Sequence, residues 1–361
     1  MAKPILAAML SCAGTELTDE EKYLFAEYNP LGISLFARNI KNKKQVIKLV
    51  EDIKNTINRD DVLIAVDEEG GRVSHIEKVV KLAHKPNQGF VSGEELGNAA
   101  VKYSKIQAIL IAEKMKELGL NVNYAPVVDR KEKKQSLVLQ SRCFSSDKRK
   151  IISRTKAMVE AYIDMGICPC IKHLPGHFDT MTDPHLSLPA VDINKEKIEK
   201  KIAYMQQFSD YPLAMTAHVL LKDIDNQFPV TMSKICIEKI IRGYLGCKSF
   251  LISDAIDMHA LKGSVVERAE NCWNAGIDAI CYCFGKYDEM YQICHQKRFM
   301  TEKAQNRFAN IKKIIHNTPK DIKTSALEKM YSQEFQGKRA QTYAYDATEV
   351  LHQMLKKGEK I

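Results

Sequence analysis

The sequence predicts an α/β fold: a single (β/α)8 barrel of the TIM type with a short helical C-terminal extension. Three observations predict it. Short apolar runs of strand character alternate with helical stretches, the runs number eight, and most are continuously apolar, as strands buried on both faces are. Alternating strands and helices argue for a parallel sheet with right-handed crossovers. Eight strands close a barrel, whereas a doubly wound sheet uses about six and opens with a Gly-rich turn, and no G-x-G-x-x-G follows the first run.

The runs are Pro4–Ser11, Gly32–Phe36, Val62–Val66, Val122–Val128, Cys168–Lys172, Leu213–Ala217, Ser249–Ile252 and Ala279–Cys283. The first, after Lys3, is short for the apolar region of a secretory segment, so it is expected to be a buried strand and the chain to be cytoplasmic. Apolar residues at helical spacing predict helices over Lys44–Asn58, Lys105–Leu118, Lys150–Met165, Ile235–Leu245 and Val265–Ala275. The barrel is expected to span 1–317. Residues 318–361 are polar, with helical stretches near Ser325–Tyr331 and Ala344–Lys357, and are expected to pack on the barrel rather than form a second domain.

Composition excludes several classes. Of 361 residues, 45% are hydrophobic and 27% charged, as in ordinary globular proteins, which excludes whole-chain disorder. No apolar run approaches the roughly 20 residues that span a bilayer. The net charge of +9 is scattered among acids, and the chain has one Trp, so neither a nucleic-acid nor a membrane partner is expected. The ten cysteines include Cys168-Pro169-Cys170 and Cys281-Tyr282-Cys283, which lack C-x2-C zinc spacing and are expected to be reduced core thiols.

In such a barrel the active site is built from the loops after the strands. Strand 2 ends in Phe36-Ala37-Arg38-Asn39 and strand 3 in Asp67-Glu68-Glu69-Gly70-Gly71-Arg72. Strand 4 ends in Asp129, with Ser141-Arg142 beyond it, and strand 5 in Lys172-His173-Leu174-Pro175-Gly176-His177, continuing to Asp183 and His185. Strands 6 and 7 end in His218 and Asp254. Singly, each has a plain structural role: Asp254 as a helix cap, Asp67 in a loop pair with Arg72, His218 as a satisfied core histidine. His173 and His177 could share a helix face and a metal, but Pro175-Gly176 between them argues against a helix, and no metal or cofactor is expected.

Together these groups suit a polyhydroxylated ligand and sugar hydrolysis, in which a carboxylate attacks one face and a proton donor serves the leaving oxygen. Asp254, at a strand tip, suits the nucleophile. In Asp183-Pro184-His185 the proline favours an extended backbone, so that Asp183 and His185 point to one side and form a carboxylate–imidazole pair. A Schiff-base lyase using Lys172 is a remoter alternative.

On these residues the sequence resembles the bacterial β-N-acetylhexosaminidases of glycoside hydrolase family 3, of the cytoplasmic muropeptide-recycling kind. The matching stretches run in order over roughly residues 4–315: Leu35–Asn39, Ala65–Val73, Asn123–Asp129, Lys172–His177, Asp183–His185 with Leu188-Pro189, Met215–His218 and Ser253–Met258. The resemblance implies one barrel, no metal and a retaining double displacement. It implies Asp254 as nucleophile, His185 as acid/base with Asp183 as its partner, and Asp67, Arg142, Lys172 and His173 as groups that hold a terminal N-acetylglucosamine. It further implies a monomer that removes this sugar from 1,6-anhydromuropeptides in peptidoglycan recycling. The single-domain length favours this kind over longer secreted relatives. Phe178 stands where the family has Gly, Pro184 where it has Ser, and Glu68 where it has Gln; none of these removes a catalytic group. The alternatives are an inactive or weakly active muropeptide-binding paralogue, or a family 3 glycosidase of other sugar preference.

Overall fold

The computed structural model describes residues 3–71, 73–77, 79–80, 91, 93–136, 139, 142–182 and 186–335. Eight parallel strands form the closed barrel: β1 (Leu6–Leu10), β2 (Pro30–Leu35), β3 (Leu63–Val66), β4 (Val122–Asn123), β5 (Cys168–Leu174), β6 (Leu213–Thr216), β7 (Phe250–Ala255) and β8 (Ala279–Cys281). Each pairs with its neighbours in chain order, and β8 closes on β1. The predicted barrel is the observed one, and the first run is a fully buried strand.

A helix follows each strand: α1 (Asp19–Tyr28), α2 (Lys43–Ile57), α3 (Ala100–Glu117), α4 (Lys148–Asp164), α5 (Lys195–Ile202), α6 (Cys236–Tyr244, wound as a π-helix), α7 (Val265–Ala275) and α8 (Tyr287–His295). Their starts are set by local chemistry. Thr18 with Glu21, and Ser264 with Glu267, form capping boxes that satisfy free N–H groups at α1 and α7.

Alternation along each strand divides the core in two. Leu6, Ala8 and Leu10 face the helices, whereas Ala7 and Met9 point into the barrel with Leu63, Ala65, Cys168, Cys170, Met215, Phe250 and Ile252. Helix α9 (Glu302–Ile315) plugs the N-terminal end of the strands. The Met300 N–H donates to the Ile5 carbonyl at 2.9 Å, and Phe308 lies 6.1 Å from Phe250, ring to ring. The polar strand ends therefore open at the other end.

Helix α10 (Thr324–Glu334) packs on α3. Tyr103 donates to Glu334 Oε2 at 3.1 Å and stacks edge-on against Tyr331 and Phe335. The helix expected over Ala344–Lys357 lies outside the described residues. Among the described residues, no helix is long and apolar enough to cross a membrane.

The fourth strand is shortened most against its prediction. Regular pairing of Val122–Val128 stops at Asn123, because Pro126 has no N–H to give. The run still crosses to β5, with the Cys170 N–H donating to the Ala125 carbonyl at 3.1 Å and the Val128 N–H to the Lys172 carbonyl at 2.6 Å.

Strands β2 and β3 meet at Gly32, where a Cβ would lie 2.1 Å from the Leu63 carbonyl oxygen. Gly32→Ala is expected to destabilise the barrel by about 1–3 kcal/mol, as overpacked cores do. Denaturant unfolding measures this, and an unchanged midpoint would contradict the close approach.

Candidate active site

Two buried polar networks meet at the open end of the barrel. The first is built on Asp129, one residue beyond the run that follows β4. Its Oδ2 accepts from the His173 backbone N–H at 2.9 Å and its ring Nδ1–H at 2.7 Å. Its Oδ1 accepts from the His177 backbone N–H at 2.8 Å and its ring Nδ1–H at 3.1 Å. Burial would raise the Asp129 carboxyl, but the two histidines and their hydrogen bonds hold it well below the usual range. Because an ionised carboxylate only accepts, both Nδ1 atoms carry the proton.

Burial lowers His173 from 6.5 to about 4, against the opposing pull of Asp129, so its ring is neutral at neutral pH. Its Nε2 then bears a lone pair and lies 4.0 Å from Asp254 Oδ2. Two acceptors face each other, so a hydroxyl placed between them donates to one or the other.

Asp254 is the penultimate residue of β7 and leaves helix capping to Ser264. Its Oδ1 accepts from the Ala255 N–H at 2.8 Å. Burial would raise its carboxyl, but His173, His218 and the Ala255 N–H outweigh burial and bring it down to about 2. His218 is fully buried and pins the strand end, its Nε2–H donating to the Ala255 carbonyl at 2.9 Å while Nδ1 meets Thr231 Oγ1 at 2.9 Å.

The second network runs through Lys172, on β5. Its Nζ lies 2.5 Å from Asp67 Oδ1 and 2.6 Å from Glu69 Oε1. Arg142 grips Glu69 with two bonds, Nε to Oε2 at 2.8 Å and Nη2 to Oε1 at 2.7 Å. Burial would raise Glu69, but Arg142 and Lys172 pull it well below the usual range. Asp67 is the exposed end of this chain, with 21% of its side chain accessible against 2% for Lys172.

The structure thus brings together Asp67, Arg142, Lys172, His173 and Asp254. Asp183 and His185 lie outside the described residues, as does Arg72, the alternative partner for Asp67. Sequence reasoning missed Glu69 as the hub of the charge chain and Asp129 as the clamp on two histidines; their only signal was position at strand ends.

A family model, Glycosyl hydrolase family 3 N terminal domain, matches residues 6–314. The chain belongs to glycoside hydrolase family 3. A beta-hexosaminidase of Bordetella avium is 30% identical over 284 residues, covering 76% of this chain and 79% of that protein. Beta-hexosaminidase A of Pseudoalteromonas piscicida is 30% identical over 291 residues, 74% of this chain but only 48% of that longer protein. NagZ from Neisseria gonorrhoeae, solved with N-trifluoroacetyl-D-glucosamine, superposes with a TM-score of 0.78 at 24% identity, over 91% of this chain and 98% of that one.

Within this family 3 barrel, the lysine and metal alternatives meet the following geometry. A Schiff-base lysine needs a lowered pKa, and Lys172, although burial opposes it, is raised by Asp67 and Glu69. Asp129, His173 and His177 lie close enough to hold a metal ion. Yet each Asp129 oxygen already takes a backbone N–H and a ring N–H, so hydrogen bonds account for the cluster.

The neutral His173 makes stability depend on pH. In the unfolded chain a histidine takes up a proton below about pH 6.5. Folding favours the unprotonated ring, so this contribution is full above about 6.5 and is lost as pH falls towards 4. The melting temperature of the wild type is expected to fall more between about pH 7 and about pH 4.5 than that of His173→Asn, whose amide can still donate to Asp129. Equal falls would contradict the buried neutral ring.

Proposed function

We propose that this family 3 glycoside hydrolase is a retaining exo-β-N-acetylglucosaminidase. Asp254 attacks the anomeric carbon and forms a glycosyl-enzyme. His185, oriented by Asp183, protonates the leaving oxygen and then takes a proton from the water that releases the sugar. The observation that carries this reading is the Asp254 carboxylate near the tip of a strand, 4.0 Å from His173 Nε2.

The remaining groups suit a bound sugar. His173 Nε2 accepts from a ring hydroxyl, and Asp67, braced by Lys172, accepts from others. Arg142 grips Glu69 with two bonds and so braces Lys172 and Asp67 at that end of the pocket. The beta-hexosaminidases among the relatives support the N-acetyl sugar. The resemblance supports the finer assignment: terminal N-acetylglucosamine removed from 1,6-anhydromuropeptides in the cytoplasm, by a monomer without cofactor, nucleic-acid or membrane partner.

The test is a fluorinated N-acetylglucosaminyl donor that traps the covalent intermediate. Mass analysis should find the sugar on the Asp254 peptide, and Asp254→Ala should lose the adduct together with roughly four orders of magnitude or more of turnover. His185→Ala should slow natural substrates more than activated aryl glycosides, whose leaving groups need little protonation. Binding without an adduct, or near-normal turnover by Asp254→Ala, would contradict the proposal.

A further inference from the structure

The two C-x-C motifs share a spacing but not a geometry. Cys168 and Cys170 are buried in the barrel, and each thiol turns to a backbone carbonyl at 3.8 Å, of Pro169 and Ile171 respectively. Cys281 and Cys283, at the end of β8, hold their sulfurs 3.6 Å apart. All ten cysteines are free thiols, and Cys283 alone is partly exposed.

This pair lies beside the reacting carboxylate. Cys281 stands opposite Ala255 in the β7–β8 register, and its N–H donates to the Ser253 hydroxyl at 2.8 Å. The Cys283 N–H donates to Asp257 Oδ1 at 2.9 Å. Hydroxyls of Ser34 and Tyr124 each lie 3.8 Å from the Cys281 sulfur. The dithiol therefore lies at the end of the strand next to the one that carries Asp254, with Cys281 fully buried and Cys283 partly exposed.

The separation selects the ligand. At 3.6 Å the two sulfurs are in van der Waals contact and not bonded, as free thiols are. Two thiolates on one tetrahedral ion, each at about 2.3 Å, stand about 3.8 Å apart, close to the spacing here. A tetrahedral metal wants about four protein ligands, and among the described residues the metal-ligating cluster of three or more lies elsewhere, at Asp129. A thiophilic element that takes two sulfurs and brings its own third substituent fits the pair instead. The hydrogen bond shared with Cys281, then burial, raise the Cys283 thiol well above its usual range. A protonated thiol alkylates slowly, which favours a ligand that carries an oxygen to accept the protons.

We propose that Cys281 and Cys283 form a dithiol site for trivalent arsenicals and like metalloids, whose capture obstructs the pocket in front of Asp254. With an aryl arsenoxide, two As–S bonds form and the As=O bond breaks. Both thiol protons leave with the oxygen as one water, and no atom changes oxidation state.

The experiment treats the full chain with one equivalent of phenylarsine oxide and reads intact mass, then turnover of an aryl β-N-acetylglucosaminide. The wild type should gain one aryl-arsenic group, released by a dithiol such as dimercaptopropanol but not by an equal concentration of monothiol. Turnover should fall in proportion to the loaded fraction. Cys283→Ser and Cys281→Ser, each checked for folding by circular dichroism, should lose the adduct, whereas Cys168→Ser should keep it. No adduct in the wild type, or an adduct retained by both Cys281→Ser and Cys283→Ser, overturns the site. A fully loaded protein with undiminished turnover overturns its placement before Asp254. The loss of turnover rests on the proposed activity; failure of that activity appears in untreated protein, and the mass readout stands apart from it.

Discussion

A single buried carboxylate sets the chemistry of this barrel. Asp129 takes four N–H donors from two histidines, His173 at the end of β5 and His177 in the loop after it, and no ionised group that deep is tolerated without such partners. By accepting from Nδ1 it dictates the tautomer of His173, and the tautomer dictates that Nε2 faces Asp254 with a lone pair. Protonation at Nε2 instead would tie His173 to Asp254 and blunt the carboxylate. The clamp also holds the loop that carries His177, where Phe178 is buried in a left-handed conformation with φ of 57°. A bulky residue at such an angle is uncommon and persists where packing fixes it.

Three consecutive acids show how position alone separates chemistry. Asp67 reaches Lys172 and keeps access to solvent. Glu69 is buried between Lys172 and Arg142 and is held ionised. Glu68 turns inward, with Oε2 accepting from the His75 and Ile76 N–H groups, and burial pushes its carboxyl up to about 8. Asn123 fixes the turn between them, its Oδ1 accepting from the Glu68 N–H at 3.0 Å and its Nδ2 donating to the Glu68 carbonyl at 2.9 Å. Glu68 and Glu69 are both buried, so the charge on this segment is decided by which of them meets Lys172 and Arg142, not by residue type.

The barrel was legible because strand length and apolar content repeat eight times, and the strand ends gave Asp254, Lys172 and His173 directly. Helix α3 begins at Ala100 rather than near Lys105, because Tyr103 packs on Tyr331 and Phe335, contacts with residues far along the chain. The π-winding of α6 left no mark in the spacing of its apolar residues. Glu69 and Asp129 stand within the motifs with nothing local to mark their roles, since a carboxylate's partners are set by tertiary neighbours. The same limit hid the difference between the two C-x-C pairs, one turned to backbone carbonyls and one with sulfurs facing.

The central claim is that Asp129 holds His173 neutral, protonated at Nδ1 and bare at Nε2. Nitrogen-15 NMR of the imidazole in uniformly labelled protein, assigned with a His173→Asn sample, measures this directly. At neutral pH the account predicts one protonated Nδ1 and one unprotonated Nε2 for His173. An imidazolium, or a proton on Nε2, would contradict it.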